Sequence, residues 1–276
     1  MEQTAERIDV IDAFGDEWAR FDQTGLSDEE RISYFEGYFE VFPWDDLPSD
    51  AAGFDLGCGS GRWAEHVAPR VGTLHCVDPS EAIEVARRNL AKHGNVVFHR
   101  RTAAELPFEP GSMDFGYSLG VLHHVADTEG ALRAAVRALK PGAPLLVYLY
   151  YAFDNRPRWF RALWAASDVA RRAISRQPSG VRHLICDGLA GAVYYPLARG
   201  AALAEHLGVR VDHWPLSTYR HRSFYAMRTD SLDRFGTRLE KRYTRDQMEA
   251  LMRAAGLTDI RFCSSVFWCA VGNRSR

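Results

Sequence analysis

The feature that most constrains this fold is a run of alternating glycines after a short apolar segment. Residues 53–61 are Gly-Phe-Asp-Leu-Gly-Cys-Gly-Ser-Gly, so Asp55 stands two positions before three glycines at alternate positions. Glycines at this spacing let the backbone turn sharply and approach a ligand, and they expose N–H groups of the following helix. The run predicts a mononucleotide-type cofactor site at the carboxyl edge of a parallel sheet.

The same spacing argues against two other ligand-binding loops. A dinucleotide fingerprint needs Gly-x-Gly-x-x-Gly, and its last glycine would fall at Arg62. The sequence also lacks the Gly-x-x-x-x-Gly-Lys-Ser/Thr pattern of a P-loop. A nicotinamide oxidoreductase is therefore disfavoured.

Size and composition indicate a soluble globular protein. The chain has 276 residues, 46% of them hydrophobic and 25% charged, which suits one large domain or one domain with an insertion. It contains no apolar run of about 18 residues, so we expect no membrane span. Residues 1–12 lack the apolar segment of a secretory signal, and the five cysteines form no Cys-x-x-Cys pair. These features predict a cytoplasmic protein with reduced thiols and no metal site.

Charge is distributed unevenly along the chain. Residues 1–50 hold 15 acidic and 3 basic side chains, whereas residues 152–242 hold 8 acidic and 16 basic ones. The two segments could pack together or simply remain solvated. Alternatively, the basic segment could bind an anionic substrate. Its arginines are dispersed rather than clustered in a tract, which argues against nucleic acid.

Alternating strand and helix patterns predict a doubly wound α/β sheet. Five apolar segments have the length and composition of strands, and they end at Leu56, Val77, His99, Ser118 and Tyr151. The pattern breaks there, so we interpret residues 152–242 as a cap inserted after strand five. Residues 1–50 form an N-terminal helical segment, and residues 51–151 with 243–276 form the core. The ligand should bind at the carboxyl ends of the strands.

Local signals predict the boundaries of several elements. Capping boxes at residues 27–30 and 244–247 each open a helix, and Gly256 closes the second one. Two final strands are expected at 260–264 and 266–271.

Further motifs follow the glycine run in a fixed order. Asp78 closes strand two, 21 residues after Gly57, where a carboxylate can accept both hydroxyls of a ribose. The other motifs occupy the loops beside strands three, four and five: residues 102–108, 111–114, 120–125 and 139–142. Together they resemble the class I S-adenosylmethionine (SAM) dependent methyltransferases, in the ubiquinone/menaquinone-biosynthesis-like (type 11) branch. The resemblance covers residues 50–151 and, more weakly, 243–272.

This resemblance implies a Rossmann-like seven-stranded sheet of order 3-2-1-4-5-7-6 with an antiparallel last strand. It also implies SAM as cofactor, with S-adenosylhomocysteine as product. The implied cofactor-binding residues, from the methionine end to the adenine and back to the sulfonium, are Asp55, Gly57, Cys58, Gly59, Gly61, Asp78, Pro79, Ser80, Thr102, Ala103, Ala104, Ser118 and Leu119. Thr102 departs from the family, which usually has Asp there, but the backbone N–H of Ala103 remains for the adenine.

Two histidines are the candidates for proton transfer. His123 and His124 follow strand four, and a neutral imidazole there could take the proton of a hydroxyl acceptor. The alternative is that they cap a helix or pack. Asp154 could orient such a base, or it could be an ordinary turn residue.

Three segments that contain aromatic residues also allow two interpretations each. Aromatic residues at helical spacing within 34–44 could pack in the core or close over the cofactor. Residues 219–225 and 230–238 mix aromatics with charge, which suits a sugar or an anionic group but also a salt-bridged cap.

We therefore expect methyl transfer to a small molecule, with a hydroxyl oxygen of a sugar or secondary metabolite as acceptor. Carbon or nitrogen methylation and a non-catalytic SAM-binding protein remain alternatives. The sequence assigns no oligomeric state.

Overall fold

A computed structural model describes residues 20–265 and 267–276, together with Ile11, Gly15, Asp16 and Trp18. Most of residues 1–19, the start of the predicted N-terminal segment, lie outside the described residues, as does Val266 in the predicted last strand. The chain divides into two compact units. The sheet unit comprises Arg31–Asp154, Leu239–Arg276 and the described residues up to Asp22; the helical unit comprises Gln23–Glu30 and Asn155–Arg238.

The sheet unit is built on one seven-stranded sheet of order β3-β2-β1-β4-β5-β7-β6. Strands β1 to β5 pair in parallel, and β7 runs antiparallel to both β5 and β6. The predicted order and the antiparallel last strand are confirmed. The strands are β1 Ala52–Leu56, β2 Thr73–Val77, β3 Val96–His99, β4 Phe115–Leu119, β5 Pro144–Tyr148, β6 Leu257–Phe262 and β7 Cys269–Arg274.

Strand β5 ends three residues before the predicted end at Tyr151. Tyr148 pairs with Leu119 on one side and with Cys269 on the other. Leu119 is the last residue of β4 and Cys269 is the first residue of β7. Because both neighbouring strands stop there, the backbone beyond Tyr148 has no continuous ladder to join.

Helices cover the sheet and form most of the helical unit. A π-helical turn at Ala190–Tyr194 joins α6 to α7. The helices are α1 Asp28–Phe39, α2 Ala64–Val67, α3 Ala82–Asn89, α4 Thr128–Ala138, α5 Arg158–Ile174, α6 Ser179–Leu189, α7 Tyr195–His206, α8 Phe224–Gly236 and α9 Arg245–Ala254.

The two predicted capping boxes differ in the structure. Thr244 and Gln247 form both reciprocal hydrogen bonds at the start of α9. At α1 the Ser27 hydroxyl accepts from Glu30 N at 3.2 Å, but the Glu30 carboxylate accepts from Ser223 N instead. Gly256 follows α9 with φ 96°, the left-handed conformation predicted for its position.

The aromatic residues of α1 and the following turn pack in the core of the sheet unit. Phe39 lies 5.3 Å from the Tyr117 ring centroid, and Phe42 lies 6.0 Å from that of Phe115. Both partners are buried side chains of β4. The core-packing interpretation of this stripe therefore holds for these residues.

The helical unit is held together by ion pairs and by hydrogen bonds from arginines to carbonyl groups. Arg228 forms two bonds to Asp187, at 2.9 and 3.1 Å. Arg171 binds Asp168 at 2.6 Å and the carbonyl oxygen of Thr237 at 2.7 Å. Salt bridges thus stabilise the helical unit internally.

Among the described residues, no helix is long and apolar enough to cross a bilayer.

Candidate functional site

The glycine loop between β1 and α2 has a shape that only glycines allow. Gly57 and Gly61 both have φ +81°, which strains any residue with a Cβ. A Cβ on Gly57 would lie 2.4 Å from the Val121 side chain, and one on Gly61 would lie 2.8 Å from Leu90. The loop therefore keeps a cradle at the carboxyl end of β1.

Asp78 ties this loop to the end of β2. Its Oδ2 accepts from Gly59 N at 2.9 Å, while Oδ1 accepts from Ser80 N at 2.9 Å and Ser80 Oγ at 2.6 Å. Burial raises the pKa of this carboxyl, against the effect of these donors. The residue predicted to hold the ribose thus also fixes the shape of the glycine loop.

Asp55 is a buried carboxyl group beneath the loop. No hydrogen bond of normal geometry reaches either of its oxygens from the described residues. Burial raises its pKa to about 8, against the opposing effects of the Tyr117 hydroxyl and the Arg62 guanidinium. A buried carboxyl without partners is costly unless something compensates it. A ligand ammonium group would do so.

Arg62 was not among the residues predicted from the sequence to form the site, although its charge lowers the pKa of Asp55. Its guanidinium lies 4.1 Å from the Trp63 ring centroid and 5.9 Å from those of Trp18 and Tyr34. Its Nε is buried and has no hydrogen-bond partner among the described residues. The sequence presented Arg62 only as the break in a dinucleotide pattern. A cation directly after the third glycine was the signal that could have revealed it.

The residues predicted to surround the adenine occupy the neighbouring loops. Ser80 is buried and Pro79 is half-buried, and both follow Asp78 at the end of β2. Thr102 Oγ1 bonds to Glu105 Oε2 at 3.3 Å. Ala103 is half-buried and Ala104 is exposed.

The end of β4 closes the other side of the loop. The Ser118 hydroxyl donates to the carbonyl oxygen of Leu56 at 2.9 Å, which ties β4 to β1. That bond uses the hydroxyl hydrogen of Ser118, so its side chain has no donor left for a ligand, and Leu119 offers polar groups only on its backbone. Cys58 is buried, with its thiol 3.8 Å from the carbonyl oxygen of Gly59.

His123 is fully buried just beyond β4. Its ring stacks on Tyr150 with centroids 3.8 Å apart and an angle of 28° between the planes. Neither ring nitrogen has a hydrogen-bond partner among the described residues. Burial, and the nearby His124 and Arg242, lower its pKa well below the usual range. The imidazole is therefore neutral near pH 7.

His124 is held in one tautomer. Its Nδ1 lies 2.6 Å from the carbonyl oxygen of Leu239, and a carbonyl can only accept. Nδ1 therefore carries the proton, and Nε2 carries the lone pair of the neutral ring. The backbone N–H of Lys241 also donates to the His123 carbonyl oxygen at 3.0 Å.

The Asp154 side chain lies beside the first residue of α9, Arg245. Its Oδ2 accepts from Arg245 N at 3.2 Å, and its Oδ1 accepts from Trp268 Nε1 at 3.0 Å. Both oxygens thus serve the helix terminus and the indole. In the described part of the chain, no hydrogen bond joins Asp154 to His123 or His124.

Two further observations concern metals and thiols. The described residues contain no group of three or more His, Cys, Asp or Glu side chains placed to hold a metal ion. All five cysteines are free thiols. The donor set of this site is therefore the glycine loop, two buried carboxyls and backbone groups. It fits a cofactor with an ammonium group and a ribose.

Comparison with known proteins identifies the family. Residues 54–147 match the family model described as a methyltransferase domain. A ubiquinone biosynthesis O-methyltransferase of Pseudomonas fluorescens is 32% identical over 221 residues, which cover 70% of this chain and 93% of that protein. The enzyme of the same name from Pseudomonas aeruginosa (strain LESB58) is 32% identical over 141 residues. That match covers 48% of this chain and only 61% of the relative's length.

A solved structure shares the fold. An O-methyltransferase family protein from Burkholderia thailandensis superposes with a TM-score of 0.53 at 16% identity, covering 89% of this chain and 56% of that one. This likeness concerns the fold alone. Taken with the relatives in sequence, the chain belongs to the class I SAM-dependent methyltransferases.

Proposed function

We propose that this protein transfers a methyl group from SAM to a hydroxyl oxygen of a small molecule. The observation that carries the proposal is the buried carboxyl of Asp55 beneath the glycine cradle, which accepts no hydrogen bond of normal geometry from the described residues. The relatives named O-methyltransferases support an oxygen acceptor. Localisation in the cytoplasm is part of the proposal.

The residues of the loop would each hold one part of the cofactor. Asp55 would pair with the ammonium group of the methionine part, and Asp78 would accept the ribose hydroxyls. Backbone groups of the loop, of Ser118 and of Leu119 would line the methionine end. The loops at 79–80 and 102–104 would flank the adenine. When bound, the cofactor supplies a methyl group that its sulfonium already activates.

The chain itself would mainly align the reactants and exclude water. Alignment of two reactants can lower a barrier by about 7–11 kcal/mol. A general base contributes about 10²–10⁴-fold in rate, less than alignment. Loss of the cradle should therefore reduce activity more than loss of a histidine.

The base we propose is His124, with His123 as the alternative. The bond to Leu239 leaves Nε2 of His124 as the proton acceptor. His123 would stay neutral beside it because burial lowers its pKa. Asp154 would hold the start of α9 and the Trp268 indole, since its oxygens accept from Arg245 N and Trp268 Nε1 and its described hydrogen bonds include neither histidine.

The acceptor would be a sugar or a secondary metabolite, and we assign its selection to residues 152–242. That segment departs from the family pattern and holds twice as many basic as acidic side chains, 16 against 8. Such a segment favours an acceptor that carries an anionic group. Carbon and nitrogen acceptors are the alternatives to oxygen.

Calorimetry and an activity assay together test the proposal. We expect binding of SAM and S-adenosylhomocysteine and none of NAD. We then expect transfer of an isotope-labelled methyl group to hydroxyl-bearing acceptors, with the methylated atom assigned by NMR. Binding of NAD, or a fully active Asp78→Ala variant, would overturn the site. Binding of SAM without turnover on any acceptor would instead indicate a non-catalytic SAM-binding protein.

A further inference from the structure

Exposed apolar side chains are concentrated in the helical unit. Of the 15 large hydrophobic residues that are exposed in the described part of the chain, 13 lie within 155–238. Leu184 of α6 is 74% exposed, and Leu207, directly after α7, is 72% exposed. Scattered exposed apolar residues are ordinary, but a concentration of them indicates an interaction surface.

Helix α5 carries the clearest part of this surface. Its exposed apolar residues recur at spacings of three and four, so they share one side of the helix. This α5 face consists of Trp159, Leu163, Ala166, Val169, Ala170 and Ala173. Trp159 and Leu163 are each 52% exposed and Val169 is 70% exposed. The opposite side of α5 is the buried one, where Arg171 binds Asp168 and Thr237.

Arginines border the α5 face. Arg158, Arg161, Arg172 and Arg176 are all exposed. The one acidic residue of α5, Asp168, is mostly buried and is paired with Arg171 and Arg172. The exposed surface of this helix is thus apolar and positively charged.

We propose that α5 docks on the surface of an anionic lipid bilayer. A helix with an apolar face that includes Trp, bordered by arginines, suits the boundary between lipid headgroups and acyl chains. The Trp159 and Leu163 side chains would enter that boundary, while Arg158 and Arg161 would contact anionic headgroups. The contact is peripheral, and it is independent of the methyl-transfer proposal.

Charge complementarity favours a bilayer over a second copy of this chain. Two α5 faces packed against each other would bring their arginines together, and like charges at close range oppose association. An anionic headgroup layer instead neutralises them. Nucleic acid would leave the apolar face without a partner, because its phosphates contact only the arginines.

Vesicle flotation of the full chain tests this proposal. We expect the protein to float with vesicles of phosphatidylcholine containing one third phosphatidylglycerol, and to remain unbound with pure phosphatidylcholine. Binding to the anionic vesicles should fall at least about tenfold as ionic strength rises to about 1 M, because salt screens headgroup charge.

Two variants separate the apolar and the electrostatic parts of the contact. Arg158→Gln with Arg161→Gln should weaken binding about 30-fold, since each arginine near an anionic surface contributes roughly a factor of five. Trp159→Ser with Leu163→Ser should weaken it at least about tenfold. The matched controls lie in the sheet unit: Val97→Ser, also an exposed apolar residue, and Arg133→Gln with Arg253→Gln, two exposed arginines. These controls should float like the unaltered protein.

Unchanged helix content by circular dichroism and an unchanged thermal melting profile would show that the α5 variants remain folded. The proposal is overturned if the unaltered protein fails to float with anionic vesicles, or if the α5 variants float as well as the controls. It is also overturned if light scattering detects a dimer that the Trp159→Ser, Leu163→Ser variant dissolves, because that result would assign the α5 face to a second copy.

Discussion

The Nδ1 atom of His124 donates a hydrogen bond of 2.6 Å to the carbonyl oxygen of Leu239, which lies 115 residues further along the chain. Nearby, Tyr243 N donates to the Tyr150 carbonyl and Ala152 N to the Tyr243 carbonyl, both at 2.8 Å. The segment that returns to the sheet unit is therefore paired with the segment that leaves it, and it sets the tautomer of a candidate base.

This relationship predicts that a His124 variant can lose catalytic rate while it keeps SAM affinity and thermal stability. His124→Asn can keep a donor near the Nδ1 position for Leu239 but removes Nε2. We expect kcat to fall about 10²–10⁴-fold, with SAM affinity and melting temperature little changed. Steady-state kinetics, calorimetry and thermal melting would measure the three quantities. His123→Phe, which can keep the stack on Tyr150, is the matched control. Loss of activity in that variant alone would make His123 the base.

The raised pKa of Asp55 predicts that SAM binding depends on pH. The folded carboxyl has a pKa of about 8 against an ordinary 3.8, so it is mostly protonated at pH 7. Pairing with the ligand ammonium needs the ionised form. Affinity should therefore rise up to about tenfold per pH unit as the pH approaches 8, and calorimetry from pH 6 to 9 would measure it.

Variants at Asp55 and Arg62 sharpen that test. Asp55→Asn should bind SAM weakly and with little pH dependence over this range. Arg62→Gln should shift the midpoint of the pH dependence of SAM affinity to higher pH, because the Arg62 charge lowers the pKa of Asp55. A midpoint that did not move would remove Arg62 from the site.

The raised pKa of Asp55 also predicts that this carboxyl lowers the stability of the folded protein without ligand near pH 7. Between pH 3.8 and about 8 the folded protein holds a proton on Asp55 that the unfolded chain releases, so stability falls as pH rises through this window. Asp55→Asn removes this penalty. We expect the variant without ligand to melt at a higher temperature than the unaltered protein at pH 7. The difference should shrink at pH 4, and an equal difference at both pH values would contradict this origin.

Asp78 should matter more than its neighbour Ser80. Asp78→Asn disturbs the bonds from Gly59 N, Ser80 N and Ser80 Oγ together, whereas Ser80→Ala removes only one of them. Hydrogen bonds to a charged group contribute about 1.5–3 kcal/mol each. We expect Asp78→Asn to weaken SAM binding about 100-fold and Ser80→Ala about tenfold or less, as measured by calorimetry. Equal effects would show that the hydroxyl bond holds the loop.

Gly57 has two independent reasons to be glycine, and they can be separated. Gly57→Ala meets the Val121 side chain and also places Ala at φ +81°. The double variant Gly57→Ala, Val121→Gly removes every Val121 side-chain atom that the new Cβ meets, including the Val121 Cβ at 2.8 Å, and leaves the backbone strain in place. The backbone cost of about 1–2 kcal/mol should remain. The melting temperature of Gly57→Ala should be the lowest of three variants, and that of the double variant should be intermediate. Gly94→Ala should melt at the highest temperature, because its added Cβ meets no atom within 4 Å. Full recovery in the double variant would show that the contact is the whole cost.

Local patterns in the sequence accounted for the sheet and the glycine loop. Strand periodicity, the glycine spacing at 57–61 and the placement of Asp78 after β2 each depend on a few adjacent residues. The sheet order confirmed the topology that the family resemblance implied. The end of β5 was the exception, because it depends on where β4 and β7 stop, which lies far away in sequence.

Tertiary packing decided the details of the site. Asp154, a candidate partner of a base in the sequence, accepts hydrogen bonds from Arg245 N and Trp268 Nε1. The tautomer of His124 and the aromatic surroundings of Arg62 likewise depend on residues distant in sequence. Which side of α5 is exposed also depends on packing, because Arg171 is buried and Asp168 mostly buried in the helical unit whereas Trp159 and Leu163 are exposed. The sequence by itself determined the glycine loop, since backbone sterics act locally. Only the three-dimensional packing decided which side chains are buried, paired or exposed, since those properties depend on what the rest of the chain brings beside them.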